Sequence, residues 1–220
     1  MPRPWPTRHL PYPTAPLGGA LALAAALAVT GCAGPPRTWS FSCPRAGSTV
    51  TYDDGRTLKF TRAAPDNPAV CIAERGTSGE EVRLIHAIIP ESPIEGRGHA
   101  EGMAPLWPAK ANNTASYRSV VRSEGSGIQY DFDTNWRVVG FEIVQVPAGR
   151  FDAVVLERRW SQRSGGELNA AIRYWIDTDA GIPVKRTVET IRGTTLMGPW
   201  QATRAVIPPP PPPPPRPPNM

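Results

Sequence analysis

Residues 153–177 read AVVLERRWSQRSGGELNAAIRYWID, which is two segments of β character separated by a Ser-Gly-Gly turn. Apolar and polar side chains alternate in both segments, which is the period of a strand with one covered face. The first segment places on one face Val154, Leu156 and Arg158, and on the other Val155, Glu157 and Arg159. The stretch therefore predicts two neighbouring antiparallel strands.

Similar segments recur along most of the chain. The candidate strands are 48–52, 57–61, 70–73, 82–89, 114–122, 127–132, 136–146, 153–162, 170–177, 184–191 and 200–207. Turn compositions separate them: an Asp-Gly at 54–55 predicts a hairpin, and Asp133-Thr134-Asn135 is interpreted as a turn. Residues 91–113 are expected to be irregular, with at most a short helical turn. We predict a mainly β fold, a curved antiparallel meander (half-barrel, barrel or sandwich) with no major helical domain.

An apolar run begins near Leu17, behind Arg3 and Arg8, and ends in Leu-Ala-Val-Thr-Gly-Cys at residues 27–32. It is shorter than the roughly 20 apolar residues of a membrane-spanning helix. The pattern resembles the lipobox of bacterial lipoproteins. The resemblance implies that residues 1–31 are a signal peptide and that Cys32 carries a diacylglyceryl group. An ordinary secretory signal with a coincidental cysteine is the alternative.

By the same resemblance, Ala33 and Gly34 after the cysteine imply passage to the outer membrane. The expected location is the bacterial cell envelope, with the protein lipid-anchored and facing the periplasm. The chain then divides into a signal peptide (1–31), a tether (32–41), a β-domain (42–207) and a polyproline tail (208–220). The tail contains eight consecutive prolines from Pro208 to Pro215. It is either a polyproline II rod that reaches a partner or a tolerated low-complexity segment.

Charge and composition restrict the partners. The formal net charge is +5, and removal of residues 1–31 with Arg3 and Arg8 leaves +3. This weak and evenly spread charge does not favour nucleic acid as a partner. The expected partners are the membrane, through the anchor, and lipids or envelope proteins.

The chain has three cysteines. If Cys32 is lipidated, Cys43 and Cys71 remain as a pair in an oxidising compartment, where a disulfide is the default. A metal or redox pair is the alternative, but the two cysteines lack CxxC spacing and a nearby set of histidine ligands.

The sequence shows no catalytic motif, and we expect no enzyme activity, no metal site and no cofactor. Neither GxSxG nor HExxH occurs, and no phosphate-binding glycine pattern follows a strand. His86 lies in an apolar strand-like run and is interpreted as a partly buried, hydrogen-bonded side chain, while His99 lies in the irregular stretch. Several tryptophans, among them Trp160 and Trp175 on neighbouring strands, line a concave face or belong to ordinary core packing.

Three phrases in the second half of the chain resemble those of uncharacterised bacterial envelope proteins. They are PLWPAKANNTASY at 105–117, EIVQVPAGRFDA at 142–153 and YWIDTDAGIPVKR at 174–186. The corresponding phrases in those proteins are LWPLKVG, VPAGTFDA and YWYxPExG, in the same order. The resemblance implies a curved antiparallel sheet and assigns no activity. Ala109, Ala111 and Ile176 depart from the pattern.

The function expected from these observations is that of a lipid-anchored envelope lipoprotein whose β-domain is a binding or scaffolding module. The alternative is a carrier or chaperone for lipids or lipoproteins, with a concave apolar face. An apolar cavity of several hundred Å³ would favour the carrier, and a filled interior would contradict it.

Overall fold

The structure is a computed structural model that describes residues 36–91, 96–122, 129–163, 166–195 and 197–210. These residues belong to one unit, Pro35–Met220. The strands are β1 (Thr38–Trp39), β2 (Thr49–Tyr52), β3 (Thr57–Ala64), β4 (Asn67–Arg75), β5 (Glu80–Ile85), β6 (Ile89–Pro90), β7 (Ala109–Lys110), β8 (Thr114–Arg122), β9 (Gln129–Val146), β10 (Gly149–Gln162), β11 (Asn169–Asp177), β12 (Pro183–Arg192) and β13 (Trp200–Val206). One helix, α1 (Gly96–Met103), and a 3₁₀ turn (Ala104–Leu106) lie between β6 and β7.

Eleven strands form one antiparallel sheet with the order β6-β5-β4-β3-β2-β13-β12-β11-β10-β9-β8. Two meanders, β2–β6 and β8–β13, are joined where β13 pairs with β2. The helix α1 contacts β8, which is one edge of the sheet, and β5, which lies beside the other edge. The sheet therefore curves so that its two ends approach α1. The predicted mainly β, antiparallel meander is confirmed, and the sheet is not closed.

The core is one apolar cluster drawn from both meanders and from the α1 region. The largest fully buried side chains are those of Trp136, Tyr174, Phe60, Ile85, Met103 and Leu106. The alternation predicted for 153–177 is confirmed, because Val154 and Leu156 are fully buried and Arg159 is exposed. Arg158 shares the buried face with them.

The turn predicted at Asp133-Thr134-Asn135 is wrong, because β9 runs through it without a break. Thr134 is buried and lies opposite both Tyr117 and Trp160 in the ladder. Its Oγ1 is 2.8 Å from Oγ of Ser119. Strand pairing on both sides provides backbone hydrogen-bond partners for these residues. Tertiary context therefore overrides the local composition, which favours a turn.

The single strand predicted at 82–89 is also wrong. β5 ends at Ile85, and the chain reverses so that β6 pairs back onto β5. His86 and Ala87 form the reversal with φ of 48° and 62°. A left-handed backbone at two non-glycine residues has no local sequence signature here, because the segment consists almost entirely of apolar residues.

Other predicted turns are confirmed. Gly55 follows β2 in the hairpin with β3. Gly181 has φ of 72°, and a Cβ there would lie 2.8 Å from the carbonyl oxygen of Ser42. Glycine is therefore required both by the backbone conformation and by the close approach of residues 36–46, here called the N-terminal segment.

The predicted tether needs a correction at its C-terminal end. Thr38 and Trp39 form β1 and pair with Lys110 and Ala109. The indole N–H of Trp39 donates to the carbonyl oxygen of Thr178 at 2.9 Å. The described residues of the tether lie against the β-domain, because the side chains of Trp39 and Phe41 pack on its core. The signal peptide, Cys32 and the tail beyond residue 210 lie outside the described residues.

Candidate functional site

The disulfide is the one predicted cysteine feature within the described ranges. Cys43 and Cys71 are bonded with an S–S distance of 2.11 Å and a Cα–Cα distance of 5.4 Å, as predicted. Cys71 is fully buried on β4, and Cys43 lies on the N-terminal segment. The bond therefore ties that segment to the first meander. Cys32, the predicted lipidation site, is outside the described residues.

A chain of buried polar side chains joins α1 to the second meander. Nδ1 of His99 lies 2.7 Å from the hydroxyl oxygen of Tyr117, and the indole N–H of Trp136 donates to that oxygen at 3.0 Å. An indole N–H can only donate, so the hydroxyl oxygen accepts from Trp136, and His99 forms its hydrogen bond with the same hydroxyl group.

Arg158 lies beside this chain on the core-facing side of β10. Its ladder partners are Trp136 on β9 and Ile172 on β11, both buried. Arg158 itself is only 4% exposed. Its guanidinium carbon lies 4.6 Å from the ring centroid of Trp160 and 5.7 Å from that of Trp136. The cation thus lies between two aromatic rings on the buried face of the sheet.

Two buried donors at this place have no hydrogen-bond acceptor. They are Nε of Arg158 and Nε1 of Trp160. Among the described residues, no carboxylate forms an ion pair with Arg158, since the described ion pairs of this sheet region involve other arginines. Buried donors are satisfied in the great majority of cases, so two unsatisfied ones side by side need an explanation.

Burial and the charge of Arg158 both act on the pKa values of the neighbouring groups. Burial, and then the positive charge of Arg158, lower the pKa of His99 to about 4. Burial raises the pKa of Tyr117, and Arg158 opposes that rise. His99 and Tyr117 are therefore both neutral at pH 7. Arg158 is the group that carries charge in this set.

A second charged group lies on the opposite face of the same strands. The carboxylate of Glu157 accepts from Arg173 at 2.8 Å, from Arg159 at 3.3 Å and from Arg137 at 3.5 Å. We call these four side chains the Glu157 cluster. Burial opposes ionisation of Glu157, but the hydrogen bonds from Arg173 and Arg159 outweigh it and lower its pKa. The cluster therefore has one negative and three positive charges.

Three members of the Glu157 cluster, Glu157, Arg137 and Arg159, line an open cleft of about 370 Å³. The remaining wall consists of Thr114, Ser116, Asn135 and Trp136. The guanidinium groups are about half exposed, in contrast to the buried carboxylate. Strand register explains the cluster, because Arg137 and Arg173 are the direct ladder partners of Glu157 on β9 and β11. The result is an exposed surface with two surplus positive charges.

His86 belongs to a different environment. Its ring stacks on Trp107 at 5.0 Å between centroids and contacts the ring of Phe41 edge-on at 4.7 Å. Nδ1 is buried without a hydrogen-bond partner among the described residues, and burial lowers the pKa of His86 to about 4. His86 is buried, as the sequence predicted, but its ring packs against aromatic side chains instead of forming the expected hydrogen bond.

Of the two alternatives for Trp160 and Trp175, ordinary packing fits the structure, since each is 8% exposed, and a shared concave face does not. Trp160 pairs with Ala170, whereas Trp175 pairs with Val155, an odd number of positions away, so the two rings lie on opposite faces. Trp160 stacks on Phe132 with centroids 4.1 Å apart, and the indole N–H of Trp175 donates to Glu142 at 2.6 Å. The face of the sheet on which each ring lies follows from its position along the strand and from the register between the strands.

The described clefts differ from the cavity expected of a lipid carrier. A cleft lined by Tyr52, Leu84, Ile88 and Trp200, among others, has a volume of about 70 Å³. Another, about 450 Å³, is open and bordered by polar side chains such as Asp133 and Arg163. Within the described ranges no three His, Cys, Asp or Glu side chains are grouped to hold a metal ion. No helix in those ranges is long and apolar enough to span a bilayer.

Sequence analysis missed Arg158 and Glu157 as candidate residues. The signal that could have found Arg158 was present, because the alternation places it on the same face as Val154 and Leu156. A charged residue on the apolar face of a strand is either paired or functional. Register across three strands was needed to find the Glu157 cluster, because its members are up to 36 positions apart (Arg137 to Arg173).

Comparison with known proteins gives similarity at the level of solved structures. No protein-family model matches the chain, and no curated protein matches it. The hypothetical lipoprotein YmcC of Escherichia coli aligns with 8% identity and a TM-score of 0.44, over 74% of this chain and 84% of that one. A Parabacteroides distasonis protein described as a lipoprotein aligns with 9% identity and a TM-score of 0.40, over 77% and 100%. A Bacteroides fragilis protein described as exported, with a YmcC-like fold, aligns with 9% identity and a TM-score of 0.37, over 76% and 99%. At TM-scores below 0.5 these similarities transfer no property to this chain.

Proposed function

We propose that this protein is a lipid-anchored component of the bacterial cell envelope, attached through Cys32. The observation that carries this proposal is the pairing of the cysteines. Cys43 and Cys71 form a disulfide, which suits an oxidising compartment, and Cys32 is the remaining cysteine at the end of the apolar run. A thiol carrying two acyl chains holds a protein stably at a membrane without a spanning helix.

The anchor is tested by metabolic labelling with palmitate in a bacterial host that processes lipoproteins. The wild-type chain should incorporate label, and Cys32→Ala should lose it and leave the membrane fraction. Cys43→Ala is the matched control, because that thiol is in the disulfide and its loss should leave labelling intact. Equal labelling of wild type and Cys32→Ala would contradict the anchor.

We further propose that the β-domain is a binding module, with no catalytic role, and that the Glu157 cluster is its surface for acidic partners. The support is the surplus of positive charge: one buried carboxylate orients three half-exposed guanidinium groups, and two of them, those of Arg137 and Arg159, line an open cleft. Guanidinium groups form bidentate hydrogen bonds with carboxylates and phosphates, which suits recognition of an acidic surface.

Affinity for poly-L-glutamate at low salt tests this surface. The double substitution Arg159→Gln and Arg173→Gln should weaken binding of the full chain several-fold and reduce its salt dependence. Lys59→Gln is the control, because Lys59 is also an exposed cation paired across strands, with Glu74 at 3.0 Å. If the control weakens binding as much as the double substitution does, the surface is not specific.

A carrier function is not favoured by any described cleft. The cleft that includes Leu58, Leu84 and Ile88 is small, about 70 Å³, and is lined by arginines as well, and the larger clefts are bordered by polar and charged side chains. A chain of acyl methylenes needs an apolar enclosure of several hundred Å³. The binding module is therefore the proposal that the described geometry supports better.

A further inference from the structure

We propose that Arg158 is the centre of a binding site for a carboxylate or phosphate group, on the core-facing side of β10. This inference deepens the binding role proposed above by naming a ligand class, and it concerns the opposite face of the sheet from the Glu157 cluster. It rests on the enclosure of Arg158, on its lack of a counter-ion and on a second unsatisfied donor beside it.

Within the described ranges, no carboxylate forms an ion pair with the side chain of Arg158. The preceding residue, Glu157, points to the other face, where its carboxylate is bound by Arg137, Arg159 and Arg173. The two titratable neighbours whose pKa values respond to Arg158 are His99 and Tyr117, and both are neutral at pH 7. Among the described residues, the titratable groups that respond to the guanidinium are therefore neutral at pH 7.

A guanidinium remains protonated wherever it is placed, so its burial is unfavourable unless something compensates. The rings of Trp160 and Trp136 recover part of this cost through cation–π contacts. The remainder is not offset, since Nε of Arg158 has no acceptor. An apolar residue would suit a position opposite Ile172 better if the position served packing alone.

The donors define the class of ligand. Arg158 offers a planar fork of N–H groups, of which Nε–H lacks an acceptor. The indole N–H of Trp160 lies beside it and lacks an acceptor as well. A group that accepts several hydrogen bonds and carries negative charge satisfies both residues. Carboxylate and phosphate oxygens have this chemistry and the bidentate geometry. The stacked pair of Phe132 and Trp160 provides a flat apolar wall for whatever the anionic group is attached to.

Thermal unfolding of the full chain in the presence of defined anions tests the site. The probes are inorganic phosphate, acetate and the short-chain lipid dioctanoyl phosphatidate, each compared with sodium chloride at equal ionic strength. An anion at tenfold its Kd should raise the Tm of the wild type by about 3 °C. A larger effect of the lipid than of phosphate would identify a headgroup, and equal effects would identify a free anion.

Arg158→Met removes the charge at similar volume and should abolish the anion effect. Without anion, the Tm of this variant should equal or exceed that of the wild type, because an uncompensated buried charge has been replaced by an apolar side chain. Arg62→Met is the matched control: Arg62 is an exposed arginine on β3, outside both proposed sites, and its loss should keep the full anion effect.

Two results would overturn the proposal. One is a wild-type Tm that no anion raises above its value in sodium chloride. The other is an anion effect that survives in Arg158→Met. If that variant does not fold, Arg158→Lys replaces it, since lysine keeps the charge but loses the fork, and the shift should fall by at least half. Labelling of Cys32 is read separately, so failure of the anchor and failure of this site are distinguishable.

Discussion

At the scale of single residues, buried polar side chains distinguish the core of this protein from an ordinary β-sheet core. His86 is 2% exposed, and Trp107 and Phe41 cover its ring. Its left-handed backbone, with φ of 48°, forms the reversal between β5 and β6. Protonation of a histidine held this way destabilises the folded protein, because the charged ring is then buried away from water with no group among the described residues to compensate its charge.

We expect the pH dependence of stability to report on His86. Burial lowers its pKa from 6.5 to about 4, so the folded state binds its proton less readily than the unfolded state does. The stabilising contribution is therefore complete above pH 6.5 and is lost as the pH falls towards 4. His86→Phe should reduce the loss of unfolding free energy between pH 7 and pH 5 by about 2 kcal/mol.

Urea denaturation of both proteins at the two pH values measures this difference. His99 has a similarly lowered pKa and remains in both proteins, so it cancels in the comparison. An identical pH dependence in wild type and His86→Phe would show that the imidazole is solvated in the folded state.

At the scale of elements, α1 is held against β8 by a glycine. The backbone of Gly102 lies so close to the ring of Tyr117 that a Cβ would be 2.3 Å from a ring carbon. This contact brings His99 of the same helix within hydrogen-bond distance of the Tyr117 hydroxyl. The close packing of one short helix thus sets the polar chain that borders Arg158.

Paired alanine substitutions in α1 test this packing. Alanine is favoured over glycine in a helix by about 1 kcal/mol, so Gly98→Ala, which meets no atom within 4 Å, should stabilise the protein by roughly that amount. Gly102→Ala should instead destabilise it by about 1–3 kcal/mol, because the Tyr117 ring or the helix must shift. Chemical denaturation measures both. Stabilisation by both substitutions would contradict the close approach.

The elements also show where local sequence rules fail. Alternation and turn composition predict β8 and the β2–β3 hairpin correctly. They fail at Asp133-Thr134-Asn135, where pairing on both sides keeps the strand extended, and at His86, where an apolar segment reverses. Both errors arise because cross-strand partners far along the chain decide the backbone, and composition over a few residues does not contain them.

At the scale of the whole molecule, two long-range connections hold the meanders together. β13 pairs with β12 on one side and with β2 on the other. The N-terminal segment crosses between the meanders: Arg37 forms a bidentate ion pair with Asp152 on β10, and Cys43 is bonded to Cys71 on β4. The described chain therefore has its beginning and its last strand at the junction of its two halves.

The disulfide should account for a large part of the stability. Its two cysteines are 28 positions apart, and a closed loop of this length contributes about 3–4 kcal/mol by restricting the unfolded chain. We expect Cys43→Ala with Cys71→Ala to lower the unfolding free energy by that amount in denaturant titrations. The wild type in reducing agent is the control, because it lacks the disulfide but keeps the buried side chain of Cys71. Equal stability of the oxidised and reduced wild type would contradict the prediction.

The sequence by itself determined the strand character, the Gly-containing turns, the pairing of Cys43 with Cys71 and the position of Arg158 on an apolar face. These depend on side-chain period, on backbone conformation at single residues and on cysteine count, all of which are local or compositional. Only the tertiary structure decided that Arg158 has no counter-ion among the described residues, that Glu157 has three and that His99 meets Tyr117. Such contacts depend on strand register and on the closing of long loops, and the free energy that selects them comes from packing of the entire sheet.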